Sequence, residues 1–159
     1  MTSVFAVILT ASFLVHEMAH KVAAQRKGLW AEFRLTRWGA VLTLLSVVSP
    51  FKLVAPGAVM ISGPAQLGEI GMISIAGPVT NMVFSTVFLG AAGFVPTSYS
   101  PLFLLVALFN ATIAVFNLIP FGVLDGFKIF SWNKKVWVLA FVPSVVLVAV
   151  AYINGFQFL

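Results

Sequence analysis

Residues 13–22 read FLVHEMAHKV, an apolar stretch that nevertheless holds both histidines of the chain and one of its four acidic residues. Whether this stretch belongs to a soluble core or to a bilayer decides the fold. Of the 159 residues, 61% are hydrophobic and only 8% are charged, more apolar than a water-soluble domain requires. The sequence therefore predicts an α-helical integral membrane protein with the lipid bilayer as its solvent. A spanning helix needs roughly 20 residues, which leaves room for a few crossings and short connections.

Working outward from 13–22, the first span runs over about 3–25 and stops at Arg26, Lys27 and Gly28, two cations and a helix-terminating glycine. With no basic residues ahead of it, it reads as a retained span and not as a signal peptide. Further apolar runs cover about 72–95, 101–120 and 136–153, giving about four transmembrane helices in a single transmembrane domain over 1–159. The segment 29–61 differs. Ala31, Phe33 and Leu35 alternate with Glu32, Arg34 and Thr36, the period of a strand. The following run, 40–48, is too short to cross and is closed by Pro50, Lys52, Pro56 and Gly57, so 29–61 reads as a membrane-associated strand and re-entrant segment.

The net charge of +5 comes from cations beside the apolar runs: Lys21, Arg26, Lys27, Arg34 and Arg37 after the first span, and Lys128, Lys134 and Lys135 after the third. That distribution follows the positive-inside rule and places both clusters in the cytoplasm, with no call for nucleic acid as a partner. The chain has no cysteine, so metal binding or catalysis must rest on other side chains.

On a helix His16 and His20 stand about 40° apart, with Glu17 beside them. A carboxylate and two imidazoles in an apolar span are expensive unless they serve a function. Two histidines one turn apart can hold one zinc ion, and the glutamate between them can accept a proton from water. The rival reading is a buried, hydrogen-bonded histidine pair with Glu17 paired to Lys21. A catalytic zinc takes three protein ligands and keeps one open position. The remaining acids are Glu32, Glu69 and Asp125. Glu32 suits a solvated strand and Glu69 a glycine-containing loop. Asp125 alone would read as part of an Asp-Gly turn, but it follows the third span on the membrane face where the first span ends, so the two ends can meet.

HEMAH at 16–20, AGPVTN at 76–81 and NLIPFGVLDG at 117–126 resemble, in this order, the motifs of the site-2 protease family of intramembrane zinc metalloproteases, peptidase family M50. The resemblance extends over nearly the whole chain, and FKLVAPGAVM at 51–60 is similar to short archaeal members without PDZ or CBS domains. It implies that His16, His20 and Asp125 bind Zn2+ and that Glu17 is the catalytic base. It places Asn117 at the substrate backbone or oxyanion, with capping near Pro120 as the alternative. Asn81 falls on the last position of its AGPxxN motif and counts with the substrate-binding residues, while Gly77 and Pro78 suit helix packing and a kink.

The expected activity is hydrolysis of peptide bonds within or near the transmembrane segments of membrane proteins, as in regulated intramembrane proteolysis, in a prokaryotic cytoplasmic membrane with the site toward the cytoplasm. The 30–37 strand, paired with 51–61, could take a substrate strand at its edge around Leu35; the rival role for that strand is interfacial anchoring through Trp30 and Trp38. A catalytically silent zinc-binding membrane protein and a transporter are the competing functions. Intact Glu17 argues against the first, and the clustering of polar residues at one place against the second. Gly90, Ala91, Ala92 and Gly93 would let helices pack closely, within one chain or between copies.

Overall fold

The computed structural model describes residues 2–35 and 57–156. Within them run α1 (Thr2–Arg26), β1 (Trp30–Leu35), β2 (Gly57–Ser62), α2 (Leu67–Ala91), α3 (Ser100–Asn117), α4 (Asp125–Trp132) and α5 (Lys134–Phe156). The re-entrant reading of 40–48, the 51–56 part of the archaeal-like run and Trp38 fall outside the described residues.

Helix α1 ends as its sequence predicts. Gly28 adopts φ +75°, and its N–H donates to Gln25 O at 3.0 Å while Leu29 N–H donates to Ala24 O at 3.1 Å. This pair of bonds closes the last turn in a Schellman motif. Its apolar partners, Ala24 and Leu29, are buried together with Ala31 and Ile73. The motif reverses the chain and lays β1 back across the end of α1. Strand β1 then pairs antiparallel with β2, Trp30 opposite Ser62 and Leu35 opposite Gly57. At Gly57 a Cβ would lie 2.4 Å from Arg34 O, so the hairpin closes at this register only over a glycine.

Helix α2 starts at Leu67, ahead of the expected 72, because the sequence before it caps it. Glu69 Oε2 accepts the Gln66 N–H at 3.0 Å, which satisfies one of the free amides of the first turn. Glu69 thus lies in a helix and not in a loop. Gly71 within this helix lets the Trp132 ring approach, since a Cβ there would lie 2.2 Å from it. Helix α3 ends at Asn117, short of the expected 120, where Pro120 disfavours helical backbone before it. A short helix unforeseen in the sequence, α4, follows. Gly126 brings it against the end of α3, where a Cβ would stand 2.1 Å from Leu118 O, and the Trp137 indole N–H donates to the same carbonyl at 2.7 Å. Asn133 then starts α5 by accepting the amides of Lys135 and Val136.

The exterior and interior of this bundle are inverted relative to a soluble domain. The face that α2 buries is Gly71, Ile73, Ser74, Gly77, Pro78, Asn81 and Ser85, and the face that α3 buries is Ser100, Leu104, Ala107, Asn110, Ala111 and Ala114. Small and polar residues let the helices approach, while Val87, Leu139 and Ile153 point outward. Helices α2, α3 and most of α5 are long and apolar enough to cross a membrane, and α1 equals α2 in length at 25 residues. Lipid is the solvent that matches such an exterior.

Candidate functional site

Three elements converge where α1, α2 and α4 meet. One turn of α1 supplies His16 and His20, α2 passes beside them at Gly77 and Asn81, and α4 opens with Asp125. His16 Nε2 and His20 Nε2 are 3.0 Å apart. Asp125 Oδ2 stands 3.2 Å from the first and 2.9 Å from the second. All three residues are buried, and among the described residues they are the group of histidines and acids able to share one metal ion.

The chemistry of this donor set fits a cation. Three electron-rich atoms this close repel one another unless positive charge lies among them. The other ring nitrogens are already engaged: His20 Nδ1 donates to the main-chain oxygen of Ile73 at 2.8 Å, and His16 Nδ1 donates to Asn81 Oδ1 at 2.5 Å. With both protons on Nδ1, each Nε2 is free to offer its lone pair, the arrangement typical of metal-binding histidines. An ion about 2.0–2.1 Å from each donor, the zinc–nitrogen and zinc–oxygen range, can touch all three at these spacings.

Gly77 gives an independent test. A Cβ on Gly77 would lie 2.4 Å from His20 Nε2 and 2.6 Å from His16 Nε2. The main chain of α2 therefore leaves a cradle over the donor atoms that any other residue would fill. The motif glycine that reads as a packing residue in the sequence borders the donor atoms themselves.

Asp125 is held by both of its oxygens. Oδ2 faces the histidines, and Oδ1 accepts from Lys128 Nζ at 3.3 Å. Burial alone would raise the pKa of this carboxyl, but, with protons on the facing imidazole nitrogens in place of a metal ion, the hydrogen bonds to His16 and His20 and the charges of His20 and Lys128 outweigh it. Asp125 is thereby kept well below the ordinary carboxylate range and remains ionised.

Glu17 belongs to a different neighbourhood. Its Oε2 accepts the Val59 N–H of β2 at 3.0 Å. That bond orients the hairpin: Val59 turns its main-chain groups away from β1, and by the alternation of an antiparallel ladder so do Gly57 and Ile61. The hairpin edge beside Glu17 is thus that of β2, and the edge of β1, within the 30–37 stretch expected to take substrate, lies on the other side. On the outer edge of β1, Ala31 O accepts from the Gln25 amide at 3.3 Å, and the Leu35 side chain is exposed. Asn117 lies at the last residue of α3, with Nδ2 donating to Ile113 O at 3.0 Å. Glu32 pairs with Arg34 in solvent.

Ser12 and Asn110, buried polar residues linked to Asn81, were not singled out in the sequence. The available signal was weak but real: Ser12 precedes His16 by one turn, and Asn110 interrupts an otherwise apolar span.

Known proteins are similar to this chain. The Methanocaldococcus jannaschii protein named "Putative zinc metalloprotease MJ0611" is 33% identical over 141 residues, covering 84% of this chain and 72% of that one. The Mycobacterium tuberculosis protein named "Putative zinc metalloprotease Rip3" is 29% identical over 138 residues, or 81% of this chain; the match spans 31% of that longer protein. No family model and no solved structure matches the chain. The extent of the archaeal match settles the kinship: this chain belongs to the family of zinc metalloproteases represented by these archaeal and mycobacterial proteins.

Proposed function

We propose that the protein is an intramembrane zinc metalloprotease of the site-2 type, peptidase family M50, which hydrolyses peptide bonds within or near the transmembrane segments of other membrane proteins. The observation that carries this reading is the convergence of His16 Nε2, His20 Nε2 and Asp125 Oδ2 within 2.9–3.2 Å of one another under the open cradle of Gly77. The apolar exterior supports a substrate that also lives in the bilayer. The cations flanking the spans favour a cytoplasmic membrane with the site on the cytoplasmic side.

His16, His20 and Asp125 hold the ion, with the Ile73 carbonyl and Asn81 fixing the two rings. Bound there, zinc lowers the pKa of water toward about 7 and polarises a carbonyl as a Lewis acid. Glu17 is not among the clustered donors and keeps the role of base, accepting the proton released by water and passing it to the leaving amine. A helical substrate must first be unwound, because its carbonyls are hydrogen-bonded internally. The main-chain edge of the hairpin next to Glu17 can hold the extended segment. Asn117, one helix end away, offers an amide to the substrate backbone or oxyanion once its bond to Ile113 is exchanged.

The test is zinc content together with cleavage of a single-span substrate in liposomes, for the wild type and Glu17→Gln. The expected outcome is about one zinc per chain in both and cleavage only in the wild type, a loss of at least about a hundredfold for a removed general base. Zinc in both with cleavage in neither, across several single-span substrates, would indicate a catalytically silent zinc protein. A wild type without zinc would sink the metal site itself.

A further inference from the structure

Deep in the bundle, four buried polar side chains from three helices form one directed chain of hydrogen bonds. Asn110 on α3 donates from Nδ2 to Val106 O at 2.9 Å and to Ser12 Oγ on α1 at 2.9 Å. Its Oδ1 accepts from Asn81 Nδ2 on α2 at 2.8 Å. Asn81 Nδ2 also donates to Ser12 O at 3.2 Å, and Asn81 Oδ1 accepts from His16 Nδ1. Asn81 is 0% exposed, and Asn110 and His16 are each 1% exposed.

The direction of this chain is set by groups that have no choice. A main-chain carbonyl can only accept, so Val106 O requires the NH2 end of Asn110 and leaves its oxygen facing Asn81. Ser12 O imposes the same on Asn81, whose oxygen is left facing His16. Flipping Asn81 would set its oxygen against Ser12 O and Asn110 Oδ1 at once, acceptors against an acceptor in a medium without water to repair the loss. His16 must then carry its proton on Nδ1, and its Nε2 lone pair is delivered to the metal position.

We infer that Asn110, with Ser12, is a positioning residue of the metal centre: through Asn81 it locks His16 in the tautomer and orientation that bind the ion, although neither residue touches the ion. This rests on the zinc reading of the site. Outer-shell partners of metal-binding histidines typically contribute about 10–100-fold to affinity. Asn81→Leu falls in that range. Asn110→Leu weakens zinc about tenfold, the lower end of it, because Ser12 O still holds Asn81.

Zinc affinity is measured by chelator competition on the detergent-solubilised full chain for the wild type, both single variants and the double variant. Because the relay acts in series, Asn110→Leu should have no further effect once Asn81 is Leu. Wild-type affinity in Asn110→Leu would overturn the relay, as would penalties that multiply in the double variant, the signature of two separate packing defects. A second measurement does not depend on any variant. The nitrogen spectrum of zinc-loaded, 15N-histidine-labelled wild type contains only two rings, and His16 should show a protonated Nδ1 whose proton exchanges slowly with solvent; a bare Nδ1 would overturn the inference. Failure of the wild type to bind zinc would instead strike the reading of the site beneath it.

Discussion

His16 and His20 lie within one turn of Glu17 on the same helix, but the donor cluster they form with Asp125 and the Glu17 carboxylate are secured in opposite ways. His16, His20 and Asp125 are buried, and their supporting bonds come from helices: Ile73 O and Asn81 on α2, with Asn110 on α3 behind Asn81. Glu17 is only partly buried and is held by one main-chain N–H of a two-stranded hairpin. An isolated two-stranded hairpin is marginal in stability, and this one leans on α1 and α2 through a small cluster of Ala24, Leu29, Ala31 and Ile73. A metal site needs fixed donors, whereas a base that must meet each substrate can be tied to the element that substrate engages. On the proposed function, the helical end serves constancy and the hairpin end contact with substrate.

The sharpest way to break this contrast is to disturb the rigid end without touching a donor. In Gly77→Ala the new Cβ would stand within 2.4–2.7 Å of both imidazoles, which the Ile73 carbonyl and Asn81 hold in place. At least one ring must turn away from the metal position. Zinc affinity should fall by more than the roughly 100-fold typical of an outer-shell change, as read by chelator competition. The fold should survive, since alanine is about 0.8–1.0 kcal/mol more favourable than glycine within a helix. Gly90→Ala is the control: a Cβ there meets nothing within 4 Å, and zinc binding should be unchanged. Equal behaviour of the two variants would mean that the cradle over the histidines is not where the ion sits.

A smaller effect is expected from the hairpin, and it separates the two edges. In the observed register the main-chain N–H of Ile61 points to the β2 edge beside Glu17, and that of Leu35 points to the outer edge of β1. Proline at either place removes an outward donor and spares the bonds between the strands. Ile61→Pro should lower cleavage of a helical substrate by roughly tenfold, about one hydrogen bond of differential binding at 1.4 kcal/mol, and leave zinc content intact. Leu35→Pro should cleave normally. The reverse result would return the substrate to the edge of 30–37.

What could be read from the sequence divides along a similar line. The clustering of His16 and His20 was legible because it is set by spacing on one helix, and that of Asp125 because it follows the third span on the membrane face where the first span ends. Strand β1 showed itself by alternation, and 51–61 was expected to pair with it, but the bounds of β2, GAVMIS, were hidden because it is nearly uniformly apolar and pairs through its main chain. Asn81, Asn110 and Ser12 gain meaning only when three helices are side by side, an adjacency that no local period encodes. Gly77 was visible as a small residue, but its nearness to the imidazoles depends on how α1 and α2 pack. Helix α4 was hidden by its length of eight residues, too short for a periodic signal to rise above a loop.

The weakest expected effect concerns the hairpin's own side chains. Glu32 is the same residue type as Glu17 and belongs to the hairpin that Glu17 touches, yet its carboxylate faces solvent. It pairs with Arg34 at 3.0 Å, with side chains 51% and 59% exposed respectively, and Arg34 also lies over the Trp30 ring. Exposed pairs of this kind contribute about 0–1 kcal/mol, so Glu32→Gln should barely shift thermal stability. If the hairpin holds substrate through its main chain, the variant should also cleave within about twofold of the wild type, well under the 1.4 kcal/mol that a tenfold change represents. Cleavage rates at low and high salt make the comparison decisive, because screening weakens a charge-mediated contact and leaves main-chain bonds untouched. A large loss in Glu32→Gln that appears only at low salt would show that the hairpin reads substrate charge, and the division between a side-chain metal site and a main-chain docking edge would have to be redrawn.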